Sequence, residues 1–400
     1  MPAKLVRVTP TIESLSSASP AEQVRLGYAD TLREILQQPA SWRDTAARLV
    51  GAEVSGQLRS LVARQPGHIV LTGSGSSVYV GECLAPALQA GLGVPSQAIP
   101  AGTLLTHPRG TLPRGSGLLV SIARSGDSPE SASVVDQVLQ AEPYYRHLVI
   151  TCNPQGRLAT GYRNEPRVSV LQLDERTNDR SLVMTSSFTN LLLAGTGLLH
   201  ATTDDTSTGL ADLAADIATQ MFERYGDALL EAGSTDVDAV MYLGSGASFG
   251  AARESALKML EMSGGAVTAM CETYLGLRHG PMSWLKRPSP VVAFLSCEPH
   301  IRAYETDLLR ELAQKQLGGM RIVVGERIPA DLIGTNDLAI DLPGLSGLDE
   351  AQQAMLQVTV GQLLALARCL ALGQLPDAPA QGVLTRVVET FAIHGGVRHA

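Results

Sequence analysis

Four hundred residues, 44% of them hydrophobic and 18% charged, suffice for two or three globular domains and argue against a disordered chain. A formal net charge of -8, with no Lys/Arg cluster, argues against a nucleic-acid partner gripped through its phosphate backbone. The scattered Cys83, Cys152, Cys271, Cys297 and Cys369 form no C-x-x-C pair, and the eight histidines form no H-x-H or H-E-x-x-H arrangement; reduced thiols, no disulfide and no metal are expected.

Taken in chain order, the opening Met1-Pro-Ala-Lys-Leu-Val-Arg7 lacks the apolar core and small-residue cleavage site of a secretory signal. The apolar stretches Leu191–His200 and Leu363–Leu372 are too short, or too interrupted by Gln362 and Arg368, to span a bilayer. A soluble, cytoplasmic protein without a membrane partner is expected. Ala21–Gln38 reads as one helix, within a helical N-terminal arm over residues 1–50.

From there the chain repeats itself. Ile69-Val-Leu-Thr-Gly-Ser-Gly-Ser-Ser77 matches Val240-Met-Tyr-Leu-Gly-Ser-Gly-Ala-Ser248, with Gly73 and Gly244 171 residues apart. Leu118-Leu-Val-Ser pairs with Val291-Val-Ala-Phe, His147-Leu-Val-Ile with Arg321-Ile-Val-Val, and Ser169-Val-Leu-Gln-Leu with Leu338-Ala-Ile-Asp-Leu. Each run is short, apolar and rich in β-branched residues, as in strands covered on both faces. Helical stretches at Ser131–Gln140, Ala251–Met262 and Ala351–Leu372 alternate with them. The pattern predicts an α/β protein of two tandem, doubly wound parallel sheets, over residues 51–207 and 208–378, with a C-terminal tail at 379–400.

In open α/β sheets ligands sit at the carboxyl ends of strands, which directs attention to the loops there. Gly73-Ser-Gly-Ser-Ser77 fails as a dinucleotide fingerprint, because its third glycine would fall at Val78 and, in the second copy, at Phe249; no NAD or other cofactor is expected. Ser121-Ile-Ala-Arg-Ser-Gly-Asp-Ser-Pro-Glu130 sets hydroxyls and Arg124 before a helix opened by Pro129, where free amides and the dipole favour an anion. Simple capping by Ser128 is the alternative; Arg124, Ser125 and the nearby Ser76 and Ser77 favour phosphate. The second copy has Ser296-Cys-Glu-Pro-His-Ile instead, so one phosphate cradle is expected. The helix starting at Arg253 carries Glu254, Lys258 and Glu261 at i, i+4 and i+7, either a solvated ion-paired face or a catalytic one. Downstream, His279 lies between Arg278 and Gly280-Pro281 in a turn that holds it outward.

Leu32-Arg-Glu-Ile-Leu-Gln-Gln-Pro39, Arg124-Ser-Gly-Asp-Ser-Pro-Glu-Ser131, Met184-Thr-Ser-Ser-Phe-Thr189 and Arg278-His-Gly-Pro281 together resemble the sugar-isomerase (SIS) family, from about Ala21 onward. Within it the chain is similar to tagatose-6-phosphate ketose/aldose isomerases and galactosamine-6-phosphate deaminase/isomerases. The resemblance implies two SIS domains acting on a hexose 6-phosphate or its 2-amino form. Carried over from the isomerase half of glucosamine-6-phosphate synthase, it implies Ser77, Ser125 and Ser128 on the phosphate; Ala123 and Arg124 depart from that enzyme's pattern, and Arg124, Ser76, Ser186 and Ser187 are the further substrate-binding candidates. It further implies Glu261 as the proton-transfer base, assisted by Glu254, and His279 as the ring-opening group, reaching over from the second subunit of a homodimer. Burial is expected to raise the Glu261 pKa. That synthase ends on an active-site lysine; here the last lysine is Lys315, and the tail carries Arg386, His394 and Arg398 instead, with His394 the substrate-binding candidate. Galactosamine-6-phosphate deaminase/isomerase, giving tagatose 6-phosphate and ammonia, is the expected activity. Glucosamine-6-phosphate deaminase, a phosphosugar lyase and a non-catalytic phosphosugar-binding regulator are the alternatives.

Overall fold

The computed structural model describes residues 10–201, 207–286, 289–387 and 392–394. Two five-stranded sheets, every pairing parallel, account for both copies. The first comprises β1 (Ile69–Gly73), β2 (Ser96–Pro100), β3 (Gly117–Ala123), β4 (Tyr145–Thr151) and β5 (Val168–Gln172), in the order β2-β1-β3-β4-β5. The second comprises β6 (Ala239–Leu243), β7 (Thr268–Glu272), β8 (Val291–Phe294), β9 (Arg321–Gly325) and β10 (Leu338–Asp341), in the order β10-β9-β8-β6-β7. Read from the other edge this is the same topology, with its switch point between β1 and β3 and between β6 and β8.

All four matched pairs of segments are strands at corresponding places. Not foreseen were β2 and β7. They lie at sheet edges and are covered incompletely, whereas β1 and β6 are buried at every residue, so they present no continuous apolar run.

The helices, in chain order, are α1 (Ile12–Ser17), α2 (Pro20–Leu26), α3 (Ala29–Leu36), α4 (Gln38–Leu49) and α5 (Ala52–Ala63) before the first sheet. Within it follow α6 (Ser76–Leu92), α7 (Ala101–Thr106), α8 (Pro108–Thr111), α9 (Pro129–Ala141), α10 (Arg157–Thr160) and α11 (Ser186–His200). The link is α12 (Ser207–Ser234), and the second copy adds α13 (Ala247–Met262), α14 (Tyr274–Leu277), α15 (Pro299–Gln314) and α16 (Glu350–Ala371). By length and composition α16 could cross a membrane, but 89% of its apolar window is buried inside the protein, as for a core helix covered on all sides.

The single helix expected over Ala21–Gln38 is broken. Gly27 adopts φ 63°, ψ 39° and closes α2, and its missing Cβ leaves room for Leu375, whose own Cβ would stand 2.7 Å away. The next helix, α3, is started from the far end of the chain: Asp377 accepts from the amides of Asp30 and Thr31 and from the Thr31 hydroxyl at 3.2, 2.7 and 2.7 Å. The arm is thereby fastened to the end of the second copy.

One continuous apolar core joins the copies. It runs from Leu84, Phe188 and Leu193 of the first to Ala251, Met355 and Leu363 of the second. At its centre α6 and α13 touch along their lengths, and Gly250 allows it: a Cβ there would lie 2.6 Å from the Cys83 sulfur and 2.8 Å from the Cys83 nitrogen.

Candidate active site

The loops after β1 and β6 turn sharply into α6 and α13 in the same way. Gly75 (φ 57°, ψ -129°) and Gly246 (φ 55°, ψ -128°) precede the two helices in a conformation that side chains rarely adopt. This turn sets Ser76 and Ser77 in the first turn of α6, both buried. The β3 loop delivers Ser125 and Ser128 next to it, and Ser74 donates to Glu130 in the first turn of α9 at 2.8 Å, tying the two loops together. Ser128 occupies the N-cap position of α9, yet its side chain makes no capping bond. The simple-capping alternative therefore does not describe it, and like Ser125 it is half-buried.

From the second copy, α13 runs across this gap with three ionisable side chains on one face. Lys258 is 1% exposed and central: its ammonium lies 3.0 Å from the Ser76 hydroxyl, 2.5 Å from Glu261 and 3.3 Å from Glu254. The three side chains share a side as the spacing predicts. Contrary to expectation, burial falls on Glu254, at 0% exposed, whereas the Glu261 side chain keeps 23% of its surface open. Burial pushes the Glu254 carboxyl up to about 7; Lys258 opposes the shift and the negative charge of Glu261 adds to it. Burial alone would lower Lys258, but the two carboxylates outweigh it and hold the ammonium above its ordinary value. The cluster is thus a firm cation between an open carboxylate and a sealed one that is half-protonated near neutrality. Lys258 is the functional side chain that sequence reasoning left unassigned, although its place midway between two glutamates on one face was the available signal.

Several expected contacts are absent. The Ser186 and Ser187 hydroxyls are buried and donate to Asp179, each at 2.5 Å, and the same carboxylate accepts from the amides of Thr185 and Ser187. They belong to a carboxylate-capped start of α11 and not to a ligand surface, because a buried hydroxyl held by a carboxylate has its donor spent. Arg124 is 7% exposed and donates to the carbonyls of Ser181 and Leu182 at 3.2 and 2.8 Å, so its guanidinium braces the loop after β5. Ser77 donates to the sulfur of Met184 at 3.9 Å, a weak bond that a stronger acceptor displaces. His279 is exposed beyond α14, its ring without a hydrogen bond among the described residues, while Arg278 beside it pairs with Glu311 at 2.7 Å. His394 is exposed and likewise unbonded, and Arg398 lies outside the described residues.

In the second copy the corresponding space is filled by acids. Glu350, at the start of α16, lies 3.3 Å from the position a Gly246 Cβ would take. Glu305 accepts from the Ser296 amide at 2.7 Å, and burial pushes it up to about 7. An anion would meet carboxylates there.

No protein-family model matches the chain. It is 40% identical over 382 residues to a Streptomyces coelicolor protein that bears, provisionally, the name D-galactosamine-6-phosphate deaminase AgaS, covering 91% of this chain and 95% of that one. It is 33% identical over 370 residues to the D-galactosamine-6-phosphate deaminase AgaS of Escherichia coli, covering 91% and 95%. Among solved structures it is similar to the tagatose-6-phosphate ketose/aldose isomerase of Escherichia coli, with a TM-score of 0.82 and 31% identity over 90% of this chain and 98% of that one.

Proposed function

Because the chain belongs to the AgaS group of the sugar-isomerase family, we propose that it is an amino-sugar-phosphate deaminase/isomerase that converts galactosamine 6-phosphate and water to tagatose 6-phosphate and ammonia. The observation that supports this most is the seam itself: an ammonium and two carboxylates from α13 abut the Ser76–Ser77 turn of the other copy, beside the hydroxyls of Ser125 and Ser128. The phosphate goes to Ser77, Ser125 and Ser128, where the N-termini of α6 and α9 add favourable dipoles. The open-chain sugar then extends towards α13.

Glu261 is the base. A base must reach carbon, and of the two carboxylates it is the open one. It removes the proton from C2 of the ring-opened aldehyde; the C2–H electron pair forms the C1–C2 double bond of an enolamine, and charge moves onto the C1 oxygen. Lys258 stabilises that charge. Return of the proton to C1 as the nitrogen lone pair forms the C2=N bond, with an N–H proton passing to the C1 oxygen, gives a ketose imine; water adds to C2, and ammonia leaves. Glu254 is a positioning residue in this scheme: sealed behind Lys258, it fixes the ammonium and takes up or releases a proton near neutrality. Ring opening is assigned to His279 of a second subunit in a homodimer, in keeping with its exposure and lack of bonded partners within one chain.

Purified protein with galactosamine 6-phosphate, followed for ammonia and ketose separately and for solvent deuterium at C1, tests the reading. Ammonia and tagatose 6-phosphate in equal amounts are expected. Ketose from the 2-hydroxy sugar phosphate without any ammonia from the amino sugar would make it a plain isomerase, and no turnover with any hexose 6-phosphate would leave a phosphosugar-binding protein.

A further inference from the structure

On the far side of β3 from β1, over the ends of β3, β4 and β5, the surface opens into a polar cleft of about 810 Å3. Its volume lies in the range of small-molecule sites. Its lining includes Ser125, Asn153, Asn178, Arg180, Arg33 and the tail residue Arg386. Ser77, Ser128 and the α13 trio do not line it.

What distinguishes this cleft is the state of its charges. Arg33 is neutralised by Asp30 and Glu34, and Arg176 by Asp44 and Asp174. Arg180 and Arg386 are not. The Arg180 guanidinium has no ion pair among the described residues, and Arg386 donates only to neutral acceptors: the Asn178 side-chain oxygen at 2.5 Å, its carbonyl at 3.4 Å and the Arg180 carbonyl at 3.3 Å. Carbonyls orient a guanidinium without cancelling its charge. That charge is felt inside the protein, where burial first and Arg386 second hold the Arg124 guanidinium below its ordinary pKa. Two of the three acids on the wall are engaged within the protein: Asp127 accepts from the Arg157 amide at 2.9 Å, and Glu34 from the Arg180 amide at 2.6 Å and the Ser181 hydroxyl at 2.5 Å, while Glu175 is exposed.

We propose that this cleft is a second anion site, adjoining the serine cradle at Ser125, that binds a small phosphoryl-bearing metabolite through Arg180 and Arg386. Two planar guanidiniums without counter-ions match the oxygens of a phosphoryl group, and the volume leaves room for the organic remainder. The site also has a route to the chemistry. Ser125 and Asp127 belong to the turn that presents the cradle, and the Asp127 amide donates to the Ser125 hydroxyl at 3.3 Å, so a ligand in the cleft bears on the turn that holds the substrate phosphate. This coupling, but not the site itself, rests on the function proposed above.

Calorimetric titration of the full chain with inorganic phosphate decides the matter through stoichiometry. Wild type is expected to take up two phosphates per chain, Arg180→Gln/Arg386→Gln one, and Ser77→Ala/Ser128→Ala one, with all four changes together leaving none. Arg180→Lys/Arg386→Lys, which keeps the charges, should restore the second phosphate and so separates loss of charge from loss of fold. A single phosphate in wild type, two in the arginine-to-glutamine variant, or none in it while the lysine variant binds one, would overturn the second site. Two phosphates in Ser77→Ala/Ser128→Ala with one in the glutamine variant would overturn the serine cradle and leave the second site standing.

Discussion

Glu82 and Arg253 occupy the same place in the two repeats, 171 residues apart, and they are paired with one another across the contact of α6 and α13. The guanidinium also lies over the ring of Tyr79, 4.6 Å from its centroid. The pair therefore joins the helix that presents the serines to the helix that presents Glu254, its immediate neighbour. Removing Arg253 leaves a partly buried Glu82 whose carboxyl burial already raises. Arg253→Ala should cost about 1 kcal/mol, as expected for a pair that is still partly solvated. A double-mutant cycle with Glu82→Ala, read by urea unfolding, should show that the two losses are not additive.

The role of Glu261 is separable from that of Glu254. Glu261→Gln should lower turnover by ~10²–10⁴ while leaving sugar-phosphate binding within a few-fold, since only the base is lost. In the proposed scheme Glu254→Gln removes a carboxylate that touches Lys258 and not the substrate. It should flatten the pH dependence of turnover near pH 7, an effect that mere loosening of α13 would not produce. Wild-type deuterium exchange in Glu261→Gln would end its candidacy as base.

Subunit mixing probes the assignment of His279. Inactive Glu261→Gln chains and inactive His279→Ala chains, once subunit exchange has been verified, should regain part of the wild-type activity if each site draws its histidine from the other chain. Silence in the mixture would mean that one chain is self-sufficient.

Gly250 is expected to tolerate no side chain. The atoms a Cβ would meet include the backbone nitrogen of Cys83, which cannot swing away, so α6 and α13 must part. Gly250→Ala should destabilise by ~1–3 kcal/mol and reduce turnover, because the displacement opens the distance between Ser76 and Lys258. Thermal unfolding and ammonia release measured on one preparation check both.

His147, buried in β4 with neither ring nitrogen hydrogen-bonded, carries a pH signature. Burial lowers its pKa to about 4, with Arg167 adding to the effect. Between about pH 4 and pH 6.5 the unfolded chain therefore binds a proton that the folded one refuses, so this residue's contribution to stability is present above pH 6.5 and is lost as pH falls. His147→Leu should stabilise by about 2 kcal/mol more at pH 5 than at pH 8. An equal change in midpoint at the two pH values would refute the buried neutral histidine.

The sheet plan was legible because interior parallel strands are continuous apolar runs and this chain writes them twice. The edge strands β2 and β7 were not, since one uncovered side lets Gln97 and Thr268 stand among apolar neighbours. At the site, the spacing of Glu254, Lys258 and Glu261 gave the shared face correctly. It could not tell which carboxylate is sealed, because that depends on what α6 places opposite: Glu254 faces the interior of the seam, while Glu261, two turns on, emerges beside Lys258. Ser186 and Ser187 misled for a related reason. A hydroxyl-rich helix start reads the same whether the hydroxyls face an anion from solvent or an internal one, and Asp179 supplies the internal one from outside the motif. Nor could spacing reveal that the end of the second copy meets α3, a contact made by Asp377 across more than three hundred residues.

The seam between α6 and α13 has a further meaning for how the two halves divide their labour. In a pair of identical units related by a twofold axis, every feature on one helix would recur on the other, and the seam would hold two equivalent reaction centres facing opposite ways. Here the positions matching Glu254, Lys258 and Glu261 in the first copy are Cys83, Ala87 and Ala90, and the position matching Ser76 in the second is Ala247. Joining the halves in one chain lifts the obligation to be identical. One helix is free to specialise in holding a ligand and the other in proton chemistry, and the space that symmetry would have reserved for a second centre goes to small side chains of α6 and to Glu305 and Glu350.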